Sequence, residues 1–226
     1  MDDSKATLCK AVARVGFNVD SERFLEAYSE AHEKYRKIRY EKLVEVTNAV
    51  WISEALNSLG CKTAPTDRRI GVALNLFFED YLSTFELRPC AAKLLDRLST
   101  EYRLGLISNF TYAPVIYSAL RRLNVNRFLN VVSVSEAVGW RKPHRRIFEE
   151  TLKRLGAKPK ETVYVGDSPL EDIKGAKALG MTTVFVPSQF YSLEFMHECR
   201  QKPDFIVKDI CALCVKFSEI VQCGDG

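Results

Sequence analysis

The chain has 226 residues, of which 46% are hydrophobic and 27% are charged, a size and composition that fit one large globular domain or a core with a smaller accessory domain. Its net charge of +4 is mild and its basic residues are dispersed, which argues against nucleic acid as a partner. No apolar run approaches membrane-spanning length and the first residues lack the shape of a signal peptide, which argues against a membrane.

The seven cysteines, at positions 9, 61, 90, 199, 211, 214 and 223, are an odd number without the spacing of a disulfide framework. This pattern predicts reduced thiols and a cytoplasmic protein. Cys211 and Cys214 form a Cys-x-x-Cys pair within a stretch of helical pattern. Since no second ligand pair accompanies them, we interpret them as small apolar residues on one helix face rather than as a metal or redox site.

The first part of the chain, residues 1 to about 87, has a helical pattern throughout. Asp20 or Ser21 can cap a helix whose apolar side chains recur at helical spacing. A further helix is predicted from about residue 41 to residue 59, and Thr66 can cap the one after it. Residues 1–87 are therefore predicted to form an all-helical subdomain.

From Arg88 onward, short apolar strands alternate with amphipathic helices. The predicted strands lie within RLGLISN (103–109), FLNVVSVS (128–135), TVYVGD (162–167), TTVFVP (182–187) and DFIV (204–207). Such alternation is typical of a parallel sheet with helices on both faces. The predicted fold class is therefore α/β, with residues 88–226 forming a doubly wound parallel core.

Polar residues stand at the strand ends of this predicted core. Ser108 and Asn109 end the first strand, Asp167 ends the third, and Lys142 lies in the connection between them. Ligands of doubly wound sheets bind beyond the carboxyl ends of the strands. A hydroxyl, an ammonium and carboxylates at that edge are suited to a phosphate group and the divalent cation that accompanies it.

Each of these residues also has an ordinary structural interpretation. Ser108 and Asn109 can be turn residues, Lys142 can precede a helix that starts at Pro143, and Asp167 can cap a helix. The functional interpretation depends on their combination, in this order, at consecutive strand ends.

These residues make the sequence resemble the haloacid dehalogenase-like (HAD) hydrolase superfamily. The resemblance is close over residues 88–187 and loose over the helical part. GLISNF is similar to the family's second motif, which implies that Ser108 binds the transferring phosphoryl group, with Asn109 next to it in the substrate site. RKPHRRIF is similar to the third motif, whose catalytic and substrate-binding lysine would be Lys142. The resemblance also implies that the helical part is a cap over the core.

GDSPLED is similar to the fourth and most specific of these motifs, an acidic Mg²⁺ site. The resemblance implies that Asp167 is a metal ligand and that Asp172 is the supporting carboxylate of the same metal site. One minor departure precedes this motif, since the family commonly has aspartate where this chain has His144. Histidine caps helices less well than aspartate, so we interpret His144 as structural or solvent-exposed rather than catalytic.

A larger departure concerns the family's first motif, DxDxT or DxDxS, whose first aspartate attacks phosphorus and whose second is the general acid and base. Only Asp2 and Asp3 are acidic near the start, and no strand precedes them. The given chain is therefore predicted to lack the first, central strand of the sheet. Either the start is assigned at an internal methionine or the nucleophile has been lost; we favour the first, because each unpaired backbone group at a buried strand edge costs about 1–3 kcal/mol.

The function implied by the resemblance is a Mg²⁺-dependent phosphatase that hydrolyses a small phosphorylated metabolite through an aspartyl-phosphate intermediate. Phosphoglycolate and glyceraldehyde 3-phosphate are candidate substrates of equal weight. The alternatives are a metal-independent 2-haloacid dehalogenase, against which the acidic fourth motif argues, and a non-catalytic domain that binds a phosphorylated ligand or a protein partner. The sequence leaves the oligomeric state open.

Residues in the cap would decide which substrate is accepted, since a cap encloses the leaving group. Tyr28, Tyr35, Arg36 and Arg39 could contact a substrate. We interpret the aromatic residues as part of the core of the cap and the arginines as part of a solvated basic face.

Overall fold

The computed structural model describes residues 3–224, which divide into two compact units. One contains Met1–Phe85 and Phe110–Arg122, and the other contains Glu86–Asn109 and Leu123–Gly226. The sequence-based division at residue 87 assigned residues 110–122 to the core. In the structure these residues belong with the helical unit, because Tyr112 and Val115 are buried in its hydrophobic core.

The helices are, in chain order, α1 (Asp3–Arg14), α2 (Ser21–Lys42), α3 (Asn48–Ser58), α4 (Arg68–Phe77), α5 (Glu79–Ser83), α6 (Ala91–Ser99), α7 (Ala113–Arg122), α8 (Ser135–Val138), α9 (Arg145–Leu155), α10 (Lys174–Lys177), α11 (Leu193–Glu198) and α12 (Ile210–Gly224). The strands are β1 (Gly105–Ser108), β2 (Val131–Val134), β3 (Val163–Gly166), β4 (Thr182–Phe185) and β5 (Phe205–Ile206). Over residues 3–224, none of the helices has both the length and the apolar character needed to cross a membrane.

The helical unit differs from the sequence-based prediction in two helix boundaries. Asp20 caps α2 as expected, with its carboxylate accepting a hydrogen bond from the N–H of Arg23. The helix predicted over residues 41–59 is present as α3, but its predicted start is wrong, because Leu43 takes the left-handed conformation that ends α2 and α3 begins only at Asn48. The cap of α4 is Asp67 rather than the predicted Thr66.

The second unit confirms the predicted α/β class, since all of its strand pairs are parallel and helices lie on both faces. Val163 of β3 packs with residues of α6 and α12, whereas its neighbour Tyr164 packs with Ile147 and Phe148 of α9. Successive side chains of a strand point to opposite faces, so this division places helices on both sides of the strands.

The strands of this unit form two sheets rather than one. β1 pairs with β2, and β3 pairs with β4, which in turn pairs with β5. Within residues 3–224 no strand lies between β1 and β3. This arrangement agrees with the prediction that the given chain lacks the central strand these two strands would share.

The free edge of β1 follows from its pairing with β2. The carbonyl of Leu104, just before β1, accepts a hydrogen bond from the N–H of Val131. Successive residues of a parallel strand direct their backbone groups to opposite sides, so the groups of Gly105 and Ile107 lie on the other edge. There the ammonium of Lys142 lies 3.3 Å from the carbonyl oxygen of Ile107 and provides it with a donor.

The free edge of β3 is located in the same way. The N–H of Val186, after β4, donates to the carbonyl of Gly166. By alternation the backbone groups of Val163 and Val165 lie on the opposite edge. Val165 is 38% exposed, which is a high exposed fraction for an apolar residue in a strand that has helices on both of its faces. Both β1 and β3 therefore present an edge that can accept another strand.

A disulfide connects Cys90, at the start of α6, to Cys211, in the first turn of α12. The prediction that all cysteines are reduced is therefore wrong for this pair, and Cys211 is not simply an apolar helix residue. The two cysteines are distant in sequence, so their proximity depends on the packing of α6 and α12 on the same sheet. Cys9, Cys61, Cys199 and Cys214 are free thiols, and Cys214 is buried.

We predict that Cys90→Ser lowers the free energy of unfolding by about 2–5 kcal/mol, because the disulfide closes a long loop and restricts the unfolded chain. Thermal unfolding with and without reductant measures the effect. Reductant should destabilise the unchanged protein and a Cys199→Ser control equally, and should leave Cys90→Ser unaffected. Equal sensitivity to reductant in Cys90→Ser would contradict the prediction.

Candidate functional site

The candidate site lies at the carboxyl ends of β1 and β3 and contains all the residues that the sequence indicated in this unit. Ser108 is the last residue of β1, and Asp167 directly follows β3. Lys142 comes from the loop between α8 and α9, and Asp172 comes from a π-helical turn, Pro169–Ile173, that follows β3.

A buried ion pair connects the two sides of this site. The ammonium Nζ of Lys142 lies 2.6 Å from Oδ1 of Asp172, and the two side chains are 11% and 4% exposed. The same ammonium contacts the carbonyl of Ile107, one residue before Ser108. Through this pair the end of β1 and the turn after β3 are held together.

Asp172 accepts hydrogen bonds at both of its carboxylate oxygens. Oδ1 accepts one hydrogen bond from the ammonium of Lys142 and another, at 2.8 Å, from the hydroxyl of Tyr164. Oδ2 accepts hydrogen bonds from two backbone N–H groups, that of Asp167 at 3.2 Å and that of Ser168 at 3.1 Å. Burial by itself raises the pKa of Asp172, but the charge of Lys142 and these hydrogen bonds outweigh it, so the pKa lies below its ordinary value. Asp172 is therefore a carboxylate at neutral pH.

Tyr164 is a part of this network that sequence reasoning missed. Burial and the neighbouring carboxylate of Asp172 raise its pKa well above the ordinary value, so its hydroxyl remains a hydrogen-bond donor. In the sequence it is one aromatic residue in an apolar strand, and nothing distinguishes it from a core residue. Tyr164 becomes informative only in the folded structure, where Asp172, eight residues later in the chain, lies beside its hydroxyl.

The close approach of Asp172 to β3 requires glycine at position 166. A Cβ atom on Gly166 would lie 2.4 Å from the Cβ and 2.6 Å from the Cγ of Asp172. Ser168 then starts the π-helical turn by accepting a hydrogen bond from the N–H of Glu171. The sequence Gly-Asp-Ser thus turns the chain sharply enough for the carboxylate of Asp172 to reach back to the backbone of Asp167.

Asn109 holds the backbone of the Lys142 loop. Its side-chain amide donates to the carbonyl of Lys142 at 3.0 Å and accepts from the N–H of Lys142 at 2.8 Å. This reciprocal pair fixes the main chain from which the lysine side chain extends. The structure therefore places Asn109 behind Lys142, as a residue that positions it.

A second ion pair joins the same two segments. Arg141 is buried, and its guanidinium lies 3.7 Å from the carboxylate of Glu171. Arg141 and Lys142 thus pair with Glu171 and Asp172, two consecutive cations with two consecutive anions. Sequence reasoning overlooked this pair, because alternating charges near a loop usually belong to a solvated surface.

His144 caps α9 with its ring nitrogen Nδ1, which accepts a hydrogen bond from the N–H of Arg146 at 3.2 Å. The ring stacks on Trp140, with ring centres 4.0 Å apart. Burial, and then the charge of Arg146, lower the pKa of His144, so the neutral form that accepts this hydrogen bond is favoured. The histidine thus fills the capping role of the usual aspartate.

Two polar groups of the site make no hydrogen bond or ion pair with the rest of residues 3–224. They are the hydroxyl of Ser108 and the carboxylate of Asp167, and both residues are half-buried. Each therefore remains able to bind a ligand. In this same part of the chain, His, Cys, Asp and Glu form no cluster of three or more that could hold a metal ion by themselves.

Comparison with known proteins gives the family. A family model described as haloacid dehalogenase-like hydrolase matches residues 20–186. The chain is 40% identical over 126 residues to glyceraldehyde 3-phosphate phosphatase of Methanothermobacter thermautotrophicus, a match that covers 54% of this chain and 55% of the relative. It is 28% identical over 188 residues to ribulose-1,5-bisphosphate 5-phosphatase of Halopiger xanaduensis, covering 82% and 77%. The chain spans about half the length of the first of these relatives.

Solved structures show the same fold. A 2-haloacid dehalogenase from Pseudomonas syringae pv. Tomato DC3000 has a TM-score of 0.65 at 21% identity and covers 97% of this chain and 90% of that one. A HAD phosphatase from Thermococcus onnurineus has a TM-score of 0.55, also at 21% identity, and covers 88% and 87%. At this identity the likeness concerns the fold alone.

We predict that Gly166→Ala destabilises the protein by about 1–3 kcal/mol, because the added methyl group overlaps Asp172 and must displace it from its hydrogen bonds. Urea unfolding measures the change. Gly71→Ala is a matched control, because a Cβ at that helical position meets nothing within 4 Å and alanine favours a helix. A loss of stability in the control equal to that of Gly166→Ala would contradict the steric explanation.

The lowered pKa of Asp172 predicts a pH dependence of stability. Because the folded-state pKa lies below the unfolded value of about 4, the contribution is present above that pH and is lost as the pH falls through the folded-state pKa. The stability difference between the unchanged protein and Asp172→Asn should therefore shrink as the pH falls below the unfolded-state value of about 4. Denaturant unfolding at each pH tests this, and a constant difference would contradict it.

Proposed function

The chain belongs to the haloacid dehalogenase-like hydrolase family, and on that basis we propose that it acts as a phosphatase on a small phosphorylated metabolite. The observation that carries the proposal is the buried Lys142–Asp172 pair, whose lysine contacts the carbonyl of Ile107, one residue before Ser108. A lysine held in place by a buried carboxylate at the end of a strand that finishes in an unpartnered hydroxyl is suited to a phosphoryl group.

Phosphoryl transfer depends mainly on positioning and electrostatic stabilisation of a spreading negative charge. The hydroxyl of Ser108 donates a hydrogen bond to one phosphoryl oxygen. The ammonium of Lys142, held 2.6 Å from the carboxylate of Asp172, neutralises charge on the transferring group. Asn109 and Asp172 fix the lysine from its backbone and from its side-chain end, so little reorganisation is needed when charge develops.

Mg²⁺ commonly binds to proteins through one or two carboxylates, together with waters and substrate phosphates. The half-buried, unpartnered carboxylate of Asp167 fits such a site. Asp172 does not fit as a direct ligand, because each of its oxygens already accepts two hydrogen bonds. We therefore assign the metal to Asp167 and give Asp172 the supporting role. When bound, Mg²⁺ supplies a second positive charge at the phosphoryl group.

We assign the attacking carboxylate to an aspartate on a further strand that pairs with the free edges of β1 and β3. Its oxygen forms a bond to phosphorus while the bond from phosphorus to the leaving oxygen breaks, and the leaving oxygen takes a proton from a second carboxylic acid. Water then hydrolyses the aspartyl-phosphate. This assignment is supported by the edges of β1 and β3 that pair with no other strand within residues 3–224.

The substrate class follows from the relatives. Those named above act, by their names, on glyceraldehyde 3-phosphate and on ribulose 1,5-bisphosphate. Both compounds are phosphate esters of short hydroxylated carbon chains. We propose a substrate of this class, with glyceraldehyde 3-phosphate as the first one to test.

The test uses the protein extended by the in-frame codons upstream of Met1. We predict phosphate release from glyceraldehyde 3-phosphate that depends on added Mg²⁺, and a fall of about 10²–10³-fold in kcat for Lys142→Ala. Lys160→Ala, which removes an exposed lysine, is the matched control and should keep full activity.

No turnover of phosphate esters by the extended protein would overturn the proposal. If phosphate esters were bound without turnover, the chain would be a non-catalytic domain for a phosphorylated ligand. Release of halide from a 2-haloacid without metal would identify a dehalogenase instead.

A further inference from the structure

The helical unit contains two buried polar atoms without a hydrogen-bond partner. They are Oδ1 of Asn48 and Nε1 of Trp51, in residues that are 5% and 3% exposed. Leaving such an atom unpaired costs about 1–3 kcal/mol, and the great majority of buried polar atoms in folded proteins are paired. Two of them in the first turns of one helix point to a group that binds there.

Both atoms belong to the first turns of α3. Asn48 is its first residue and Trp51 lies three positions later, so the two side chains share one face of the helix. The amide nitrogen of Asn48 donates to the hydroxyl of Tyr28 at 3.4 Å, which leaves its carbonyl oxygen as the free acceptor. Tyr28 belongs to α2, which packs against α3.

Aromatic and charged side chains of α2 surround the indole of Trp51. The ring of His32 meets it edge to face with centres 4.7 Å apart, and the guanidinium of Arg39 lies 5.2 Å from its ring centre. Arg39 is itself buried and forms an ion pair with Glu45 at 2.7 Å, so the expectation of a solvated basic face is wrong for this residue.

The charge state of this cluster is close to neutral. Burial, followed by the charge of Arg39, lowers the pKa of His32. Burial raises the pKa of Tyr28 to about 12, so its hydroxyl keeps its proton. Arg39 is balanced by Glu45. The surroundings therefore favour neither a cation nor an anion as the bound group.

The two unpaired atoms are complementary in character. The carbonyl oxygen of Asn48 needs a donor, and the indole N–H of Trp51 needs an acceptor. A hydroxyl group is both. A phosphate dianion or a carboxylate has no proton to give to Asn48, and an ammonium has no lone pair for Trp51. An O–H group, from water or from an alcohol, is the chemistry that satisfies both atoms.

We propose that the cluster of Tyr28, Asn48 and Trp51 is a binding site for a hydroxyl group of a small polyhydroxylated molecule. The aromatic faces around the unpaired atoms suit the C–H groups of such a molecule, and its O–H pairs with Asn48 and Trp51. This inference stands on the helical unit by itself and does not depend on the proposed phosphatase activity.

Tryptophan fluorescence tests the proposal directly, because the chain has only two tryptophans. In Trp140→Phe the emission reports Trp51, which belongs to the proposed site. In Trp51→Phe it reports Trp140, which does not. The full chain is titrated with glycerol and with its trimethyl ether, 1,2,3-trimethoxypropane, which can accept hydrogen bonds but cannot donate one to Asn48.

We expect glycerol to give a saturable red shift of Trp51 emission, because the indole N–H gains a hydrogen bond. The trimethyl ether should bind about tenfold or more weakly, since it leaves the oxygen of Asn48 unpaired. Adding Asn48→Leu to Trp140→Phe should abolish the discrimination between the two probes. Adding Ser58→Ala, at the exposed far end of α3, should leave it unchanged.

Three results would overturn the proposal. Equal affinity for glycerol and its ether would show that no hydroxyl is recognised. A response of the same size from Trp140 in Trp51→Phe would show a general solvent effect. A linear response of Trp51 without saturation would assign the site to water alone. Because phosphate esters are not used, these results leave the proposed phosphatase activity untouched.

Discussion

The buried contact between Lys142 and Asp172 is the interaction on which the candidate site depends. Removing either partner would leave a largely buried charge unpaired, at a cost of about 3–5 kcal/mol. The pair is tolerated because every lone pair of the carboxylate is used, by Lys142, by Tyr164 and by two backbone N–H groups. The same saturation leaves Asp172 without a free lone pair, whereas the carboxylate of Asp167 makes no hydrogen bond or ion pair within residues 3–224.

The site is built across a division in the sheet. β1 and β3 each keep one free edge within residues 3–224, and their ends are joined by side chains instead of by strand pairing. The disulfide between Cys90 and Cys211 and the shared packing of α6 and α12 hold helices on the β3 side. The candidate phosphate-binding groups are thus brought together, whereas the proposed attacking carboxylate is assigned to a further strand at these edges.

The helical unit contrasts with this site in its chemistry. The second unit concentrates paired charges at strand ends, which suits an anion and its metal ion. The helical unit instead buries a neutral polar cluster between α2 and α3, with a donor and an acceptor that a single hydroxyl would satisfy.

The sequence by itself determined the α/β class and the helical first part, and it indicated Ser108, Lys142, Asp167 and Asp172 as candidate site residues, because strand alternation and short motifs are local patterns. Only the tertiary structure decided the rest. Tyr164, the Arg141–Glu171 pair, the buried Arg39 and the Cys90–Cys211 disulfide depend on contacts between distant segments, which no local pattern encodes. The helix break at Leu43 and the grouping of residues 110–122 with the helical unit have the same origin, since packing against neighbours outweighs local helical periodicity.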